Sequence, residues 1–200
     1  MKIISFEGFE YSGKSTQIKL LKKYFIKNNI KSTFTREPGG NKDLEKIRNV
    51  ILKSNFDNLS LIMFFFASRF ALISSIKKND FIVFDRFFDS TYAYQKYNSK
   101  EKKLIISLIK LIDKKFIPKI TFYLKLDKKN LMSRKNKRLY SNKFDKKYFG
   151  QFSRIQKNYE EISKIKIGER RFVAIDASLS ANEVHNKIIL NLKKCKLIKY

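Results

Sequence analysis

The residues Gly8-Phe9-Glu10-Tyr11-Ser12-Gly13-Lys14-Ser15 match the pattern G-x-x-x-x-G-K-[ST] in full. In this pattern the two glycines let the backbone wrap around a phosphate, so that successive N–H groups point inward. The lysine can reach the terminal phosphates of a nucleotide, and the serine hydroxyl can ligate Mg²⁺. A short apolar run at 2–6 precedes the loop, and a helical pattern at 14–24 follows it. This stretch therefore predicts a phosphate-binding loop between a buried strand and a helix, and a bound nucleoside triphosphate.

The remainder of the chain continues to alternate strands and helices. Apolar runs predict further strands at 31–35, 81–84, 120–126 and 172–175, and helical spacing predicts helices at 41–52, 59–76, 103–112, 128–135, 147–162 and 182–192. Such alternation is typical of an α/β fold in which a five-stranded parallel sheet carries helices on both faces. The 200 residues are predicted to form one domain, residues 1–200. Ligand-binding residues are expected where strands end.

The chain is strongly basic, with 45 Lys and Arg against 18 Asp and Glu and a formal net charge of +27. Such an excess would ordinarily suggest a nucleic-acid partner. Most of the basic residues are lysines spread along the whole chain beside many Ile, Asn and Phe, which favours compositional drift on a solvated surface. We therefore expect nucleic-acid binding to be at most non-specific and sensitive to salt.

The scarcity of cysteine and histidine excludes several classes of protein. A single cysteine, Cys195, excludes a disulfide framework and a thiolate zinc cluster, and a single histidine, His185, excludes a multi-histidine metal site. The N-terminus has no signal-peptide pattern, and the longest apolar stretch, 61–66, is too short to span a bilayer. The sequence thus predicts a cytoplasmic protein with no membrane partner.

Charged and aromatic residues near the predicted strand ends suggest a second ligand. Glu10 lies inside a loop built for an anion, where a sugar hydroxyl of a second substrate is a suitable partner and a solvated turn residue is the alternative. Asp85 follows the strand at 81–84 and can contribute to the binding of Mg²⁺, and Arg86 offers a bidentate donor to a phosphate. Phe65 and Arg69 lie four apart on one helix face, so the ring can stack on a base whose carbonyl the guanidinium bonds.

Four motifs occur in order and at suitable separations: the phosphate loop, the hexapeptide Thr35-Arg36-Glu37-Pro38-Gly39-Gly40, the segment from Phe65 to Arg69, and the stretch from Asp85 to Gln95. Together they resemble thymidylate kinase, a family of P-loop enzymes that phosphorylate dTMP. The resemblance continues through 120–126, through Arg154 with Tyr159, and through 175–177. It implies a three-layer P-loop kinase fold with a short lid at about 133–145.

The same resemblance implies how dTMP would be bound. Glu10 would hold the 3′-hydroxyl, and Arg36 and Arg86 would clamp the 5′-phosphate. Phe65 would stack on thymine while Arg69 bonds its O4 edge. The remaining residues implied in dTMP binding are Ser90 or Thr91 at the N3 side of the base, Gln95 nearby, Tyr94 crowding C2′ of the sugar, and Tyr159.

For the donor, the resemblance implies ATP held by the loop residues and by the lid. The ATP-binding residues would be Gly8, Phe9, Glu10, Tyr11, Ser12, Gly13, Lys14, Ser15, Thr16 and Arg134. Lys14, Arg86 and a lid arginine would act in catalysis, and Ser15 and Asp85 would hold Mg²⁺. Because the loop carries Tyr11 where some members of the family carry an arginine, the lid must supply one. Arg138 is preferred over Arg134, and Lys143 stands where related bacterial enzymes tend to have another arginine.

Two other functions stay open at this stage. The chain could phosphorylate another nucleoside monophosphate or a deoxynucleoside. Arg36 and Arg86 argue against a nucleoside, because it lacks the acceptor phosphate that they are predicted to bind. It could also be a basic nucleic-acid-binding P-loop protein, although no RNA- or DNA-binding signature is present. The helix at 59–76 is apolar around most of its circumference, and this pattern predicts a homodimer that buries its remaining face.

Overall fold

The computed structural model describes residues 1–136 and 147–199. Its five strands are all parallel and form one sheet in the order β2-β3-β1-β4-β5. The strands are β1 Lys2–Glu7, β2 Ser32–Arg36, β3 Phe81–Asp85, β4 Ile120–Lys125 and β5 Arg171–Asp176. Each lies where an apolar run predicts it, so the α/β prediction with a five-stranded parallel sheet is confirmed.

Helices connect the strands, and most of them begin at a capping side chain. They are α1 Lys14–Lys27, α2 Lys42–Lys53, α3 Asn58–Ser75, α4 Phe88–Gln95, α5 Ser99–Lys110, α6 Lys128–Asn136, α7 Phe152–Ser163 and α8 Ala181–Lys194. The side chains of Asn41 and Asp57 accept backbone N–H groups at the starts of α2 and α3. Capping boxes begin α5 at Asn98 and α8 at Ser180. The capped starts of α2, α3 and α8 lie within one residue of those predicted, whereas α5 begins at Ser99, before the predicted start at 103.

Helix α4 differs from the predictions, because the sequence pattern gave no helix there. Every residue of Phe88–Gln95 except Ser90 is buried, so the segment shows no amphipathic stripe from which a helix could be inferred. The stretch predicted as one helix at 147–162 is helical at 147–149 and again from Phe152, with a turn at 150–151 between the two parts. Tertiary burial against α3, α5 and α7, rather than local preference, holds α4 in place.

The core lies on both faces of the sheet. On one face Ile4 and Phe6 of β1 pack in one apolar cluster with Leu21 and Phe25 of α1. On the other face Ile3 of β1 belongs to a second cluster, whose buried members also come from α3 and α5. Successive β1 residues thus point to opposite helical layers, as expected for a buried parallel strand. The result is a three-layer α/β arrangement.

Helix α3 is long and apolar enough, by length and composition alone, to span a membrane. A single helix of this kind is weak evidence, because core helices of globular domains pass the same test. Leu61, Ile62, Phe66 and Leu72 of α3 are buried inside the protein.

Strand register places the residues of interest at one edge. Phe6 of β1 and Arg36 of β2 both pair with Asp85 of β3, so the carboxyl ends of these three strands are level. The loop 8–13 leaves β1 there, and Arg86 leaves β3 there. The sheet therefore brings the loop and the residues after β2 and β3 to a common crevice, as parallel sheets do where the order of the strands reverses.

Candidate functional site

The phosphate loop has the backbone that the motif requires. Gly8 has φ 144°, and a Cβ at this position would lie 2.8 Å from the carbonyl oxygen of Leu124, so only glycine fits. Gly13 has φ 91° directly before α1. The ammonium of Lys14 donates to the carbonyl oxygens of Gly8 and Phe9, each at 3.0 Å. Burial and the positive charge of Arg86 lower the pKa of Lys14. The side chain of Lys14 is therefore held against the backbone of the loop.

A cavity of about 420 Å³ opens above the loop. Of the ATP-binding residues predicted from the sequence, those that line it are Glu10, Tyr11, Ser12, Gly13, Lys14, Ser15, Thr16 and Arg134. Ala177, Leu179, Ala181 and Val184, after β5, provide apolar surface on the same cavity. Arg134 donates to the carbonyl oxygen of Tyr11 at 3.1 Å and to that of Ala177. This donor cavity thus offers cations and N–H groups at one end and small apolar side chains at the other.

Two of the predicted ATP-binding residues do not line the donor cavity. The ring of Phe9 is buried and stacks against that of Tyr94, with centroids 6.0 Å apart. The carbonyl oxygen of Gly8 is already bonded by Lys14 and by Arg86. These two residues therefore stabilise the conformation of the loop through contacts outside the donor cavity.

The residues predicted to hold a metal ion lie in the same cavity. Ser15 and Asp85 both line it, and the Oδ1 atom of Asp85 is buried without a hydrogen-bond partner. A hydroxyl and a carboxylate are the hard oxygen ligands that suit Mg²⁺, which usually takes few protein ligands together with substrate phosphates. No cluster of three or more metal-ligating side chains is found within residues 1–136 and 147–199. The donor set therefore fits a magnesium ion bound jointly with phosphate.

A second, narrower cavity of about 70 Å³ adjoins the first. The predicted dTMP-binding residues that line it are Glu10, Phe65, Arg69, Arg86, Ser90, Thr91, Tyr94 and Gln95. Four charged residues, Glu10, Glu37, Arg48 and Arg86, belong to the walls of both cavities. We call the second space the acceptor cavity, and these four residues the shared wall.

Arg69 is fixed in the acceptor cavity by buried partners. Its Nε donates to Oε2 of Glu37 at 2.7 Å, and its Nη2 donates to the hydroxyl of Thr91 at 3.0 Å. Its Nη1 and the Oε1 of Glu37 are buried without partners. Burial raises the pKa of Glu37 to about 7 although the charge of Arg69 opposes this. The guanidinium is thus held in one orientation with unused hydrogen-bonding capacity.

Arg86 connects the two cavities. Its φ of 68° is a left-handed backbone conformation that is uncommon for a side chain of this size. The guanidinium forms an ion pair with Glu10 and donates to the carbonyl oxygen of Gly8 at 3.0 Å and to Ser90 Oγ at 3.1 Å. Burial raises the pKa of Glu10, but the positive charges of Lys14 and Arg86 outweigh it and lower that pKa to about 2. Glu10 is therefore an ionised acceptor between loop and arginine.

Two predicted dTMP-binding residues are outside the acceptor cavity. Arg36 lines the donor cavity and is ion-paired with Glu45 at 2.6 Å, with 53% of its side chain exposed. Tyr159 is fully buried and bonds Ser90 and Glu7. The preferred lid arginine, Arg138, and the lid lysine, Lys143, fall outside the described residues, as does most of the lid predicted at 133–145.

Three residues of this region went unpredicted. Glu7, the last residue of β1, accepts hydrogen bonds beneath Arg86, and Glu37, directly after β2, pairs with Arg69. Arg48 of α2 donates to the carbonyl oxygen of Pro38 at 2.7 Å, and burial and the charge of Arg36 lower its pKa. For the two glutamates, the position at a strand end could have indicated a role in the site. For Arg48, the signal was that arginine is rare in this chain, whose basic residues are mostly lysines.

Comparison with known proteins agrees with this geometry. The family model described as thymidylate kinase matches residues 6–188. A thymidylate kinase from Chlorobium limicola is 34% identical, with 96% of this chain and 94% of the relative covered, and one from Wolbachia pipientis subsp. Culex pipiens is 34% identical with 96% of each covered. The crystal structure of thymidylate kinase from Ehrlichia chaffeensis superposes with a TM-score of 0.71 at 30% identity, covering 96% of this chain and 98% of that one. Full-length similarity, the P-loop kinase fold and two adjoining cavities lead to one conclusion: the chain belongs to the thymidylate kinase family.

Proposed function

We propose that this chain transfers the γ-phosphoryl group of ATP to the 5′-phosphate of dTMP, giving ADP and dTDP on the way to dTTP. The observation that carries the proposal is the shared wall, where two cavities meet at Glu10, Glu37, Arg48 and Arg86. A phosphoryl group can pass directly between two ligands only if their phosphates meet in one place. The wall supplies two guanidinium groups at that place.

The reaction depends on positioning and charge more than on covalent chemistry. Phosphoryl transfer spreads negative charge over the equatorial oxygens, so fixed cations along the line of transfer lower the barrier. We assign this work to Lys14 from the loop and to Arg86 between the cavities. Arg48 lies on the same wall and adds a further bidentate donor for phosphate oxygens.

A magnesium ion completes the donor site in this proposal. Ser15 and Asp85 would hold it, since both line the donor cavity and Asp85 has an unpartnered buried oxygen. When bound, the ion neutralises phosphate charge and orients the terminal phosphate. The chain's own contribution is to supply two oxygens and to leave the remaining coordination positions to phosphate and water.

Recognition of the acceptor follows from the walls of the acceptor cavity. Phe65 provides a ring for base stacking, and Arg69 supplies the free Nη1 for a carbonyl oxygen at the base edge. We propose that Tyr94, at the same cavity, lies beside C2′ of the sugar and excludes a ribose hydroxyl. Steric exclusion of one hydroxyl gives a modest preference for deoxynucleotides.

The proposal is tested by a coupled ADP-release assay with dTMP, dUMP, UMP, CMP and thymidine as acceptors. Preferred turnover of dTMP is the expected result. Turnover of thymidine alone would replace dTMP kinase with a deoxynucleoside kinase. Absence of turnover together with salt-sensitive polynucleotide binding would favour a nucleic-acid-binding protein, an alternative to which the comparisons lend no support.

We keep Arg138 as the proposed lid arginine and Arg134 as a proposed ATP-binding residue. Arg138→Ala should lower the turnover number, with Lys137→Ala as the neighbouring control. An unchanged turnover number in Arg138→Ala would remove Arg138 from the mechanism.

We also propose that the chain works as one domain, in the cytoplasm, and as a homodimer. Support for the dimer comes from exposed apolar side chains on α2 and α3, namely Ile47, Val50, Leu59 and Met63. Sedimentation of Met63→Glu should show a shift to monomer, whereas Leu190→Glu, at an exposed apolar residue on α8, should not. Monomeric wild-type protein at micromolar concentration would contradict the dimer.

A further inference from the structure

Three oxygen atoms form a closed triangle beneath Arg86. Ser90 Oγ lies 2.5 Å from Glu7 Oε2 and 3.0 Å from the hydroxyl of Tyr159, and that hydroxyl lies 3.2 Å from the same Glu7 oxygen. Glu7 and Tyr159 are fully buried. We call this set the oxygen triangle. It joins the end of β1, the first turns of α4 and the middle of α7.

The oxygen triangle contacts Arg86 from two directions. Ser90 Oγ accepts from Nη1 of Arg86 at 3.1 Å, so the triangle holds the guanidinium. The other carboxylate oxygen of Glu7 accepts the backbone N–H of Phe87 at 2.7 Å, directly after Arg86 in the chain. The left-handed backbone of Arg86 costs free energy and persists only because its surroundings hold it. Glu7 therefore stabilises the backbone while Ser90 orients the side chain.

The protons available to the triangle constrain what Ser90 can do. If the carboxyl of Glu7 is neutral, the three O–H groups of the triangle can each donate one of its three hydrogen bonds. If Glu7 is ionised, only the hydroxyls of Ser90 and Tyr159 can donate, so two protons are available for three contacts. Burial and the neighbouring charge of Asp89 raise the pKa of Glu7 to about 8, while Arg86 opposes them; Tyr159 and Lys14 are the other titratable groups facing it. In either state the one proton of Ser90 points into the triangle, and a lone pair faces Arg86. The contacts of Ser90 Oγ with Glu7, Tyr159 and Arg86, together with its bond to Cβ, fill the four positions around this oxygen. No lone pair is left to accept the N3–H of a thymine base.

We propose that Glu7, Ser90 and Tyr159 are positioning residues that fix the Arg86 guanidinium for contact with the phosphates, and that Ser90 acts through Arg86 instead of reading the base. This inference rests on the role that the proposed function gives to Arg86. It reassigns Ser90, one of the two residues, Ser90 or Thr91, for which the family resemblance implies a contact at the N3 side of thymine.

A double-mutant cycle on kcat/KM tests the inference. Tyr159→Phe and Ser90→Ala are each measured in the wild-type chain and in an Arg86→Lys chain. Each single change should lower kcat/KM for the acceptor about tenfold, the factor for one hydrogen bond to a charged group. In the Arg86→Lys background, Tyr159→Phe and Ser90→Ala should each lower kcat/KM by less than about twofold, because the guanidinium that they position is already absent. If either change lowers kcat/KM by the same factor in both backgrounds, the proposal is overturned. Wild-type kinetics in Tyr159→Phe would also overturn it.

Tyr123→Phe is the matched control, since the ring of Tyr123 stacks on that of Tyr159 at 4.7 Å and its hydroxyl is not part of the triangle. It removes the same atom from a neighbouring buried ring and should leave kcat/KM unchanged. Melting temperatures are measured for every variant, and Ser90→Ala carries the test if Tyr159→Phe does not fold.

A second readout separates positioning from base recognition. Ser90→Ala should keep the ratio of kcat/KM between dTMP and CMP, whereas Arg69→Lys, which alters a base contact, should change it. A changed ratio in Ser90→Ala would return Ser90 to the base and refute the reassignment. The cycle is read on whichever monophosphate the wild-type protein phosphorylates best, so loss of the dTMP assignment and loss of the positioning role remain separate results.

Discussion

Arg69 and Glu37 form an ion pair in the wall of the acceptor cavity, with Arg69 Nε 2.7 Å from Glu37 Oε2 and both side chains at most 5% exposed. The pair joins the middle of α3 to the residue that follows β2. Breaking such a pair by removing one partner leaves a buried charge without compensation, which costs about 3–5 kcal/mol. A variant that tests ligand binding by Arg69 must therefore keep a positive charge beside Glu37. A variant that tests the ion pair itself must keep the size and shape of the side chain that it replaces.

Arg69→Lys separates the ion pair from base recognition. Lysine keeps a positive charge beside Glu37 but lacks the planar fork that can reach both Glu37 and a base carbonyl. We expect KM for dTMP to rise about tenfold or more, since a hydrogen bond from a charged group is lost, while KM for ATP stays unchanged. Steady-state kinetics with each substrate varied in turn check this. An equal rise in both KM values would mean that Arg69 only supports the fold.

Glu37→Gln tests the pH dependence of stability. The pKa of Glu37 is raised from its ordinary value of 4.5 to about 7, so between these values the folded state binds more protons than the unfolded state. Stability from this group is complete below about pH 4.5 and is lost as the pH rises through 7. Glutamine does not titrate, so the stability of the variant relative to wild type should improve from pH 5 to pH 8, by at most about 3 kcal/mol.

Urea unfolding at the two pH values measures this difference. Glu45→Gln is the control, because the hydrogen bond from Arg36 lowers the pKa of Glu45 and its relative stability should move the other way, by a small amount. A Glu37→Gln difference that is independent of pH would show that Glu37 is ionised throughout.

Asp85→Asn should raise the magnesium concentration needed for half-maximal turnover. Asparagine keeps the size of the side chain but removes the charge that a hard divalent cation prefers. The comparison is Asp80→Asn, which changes an exposed aspartate just before β3, at the opposite end of the same strand. Magnesium titrations at saturating ATP and dTMP give the result. Identical curves for the two variants would remove Asp85 from the metal site.

Arg170→Ala should strongly destabilise the protein. Arg170 is ion-paired with Asp89 of α4 and donates to the carbonyl oxygen of Ile162 at 3.2 Å, and both charged side chains are almost fully buried. The loss should be about 3–5 kcal/mol, because Asp89 would be left as an unpaired buried charge. Arg171→Ala alters the adjacent exposed arginine and should change the unfolding free energy by less than about 1 kcal/mol. Similar losses in the two variants would contradict the structural role of the pair.

The sequence anticipated whatever depends on local pattern. Apolar runs such as 81–84 identify strands because both faces of a parallel sheet are buried, and the loop motif identifies itself by its glycines and lysine. Residues grouped by the motifs, including Phe65, Arg69, Arg86 and Tyr94, do line one cavity. The roles proposed for them remain predictions.

What escaped the sequence depends on contacts between distant segments. Glu37 is 32 positions from Arg69, and no periodicity connects the two. Arg48 reaches Pro38 only because α2 folds back along the loop after β2. The triangle of Glu7, Ser90 and Tyr159 spans 152 positions and closes only when α7 packs against α4. A motif can name the residues of a site, but the direction in which a hydroxyl points is decided by its neighbours in space.

The shared wall has a consequence for inhibitor design. Since Glu10, Glu37, Arg48 and Arg86 face both cavities, a single compound that joins a purine nucleoside to a thymidine through a short anionic bridge would engage both halves at once. Tethering converts the second binding event into an intramolecular one, so such a bisubstrate molecule gains avidity that neither half has alone. The length of the bridge, more than the chemistry of either end, would then set its potency.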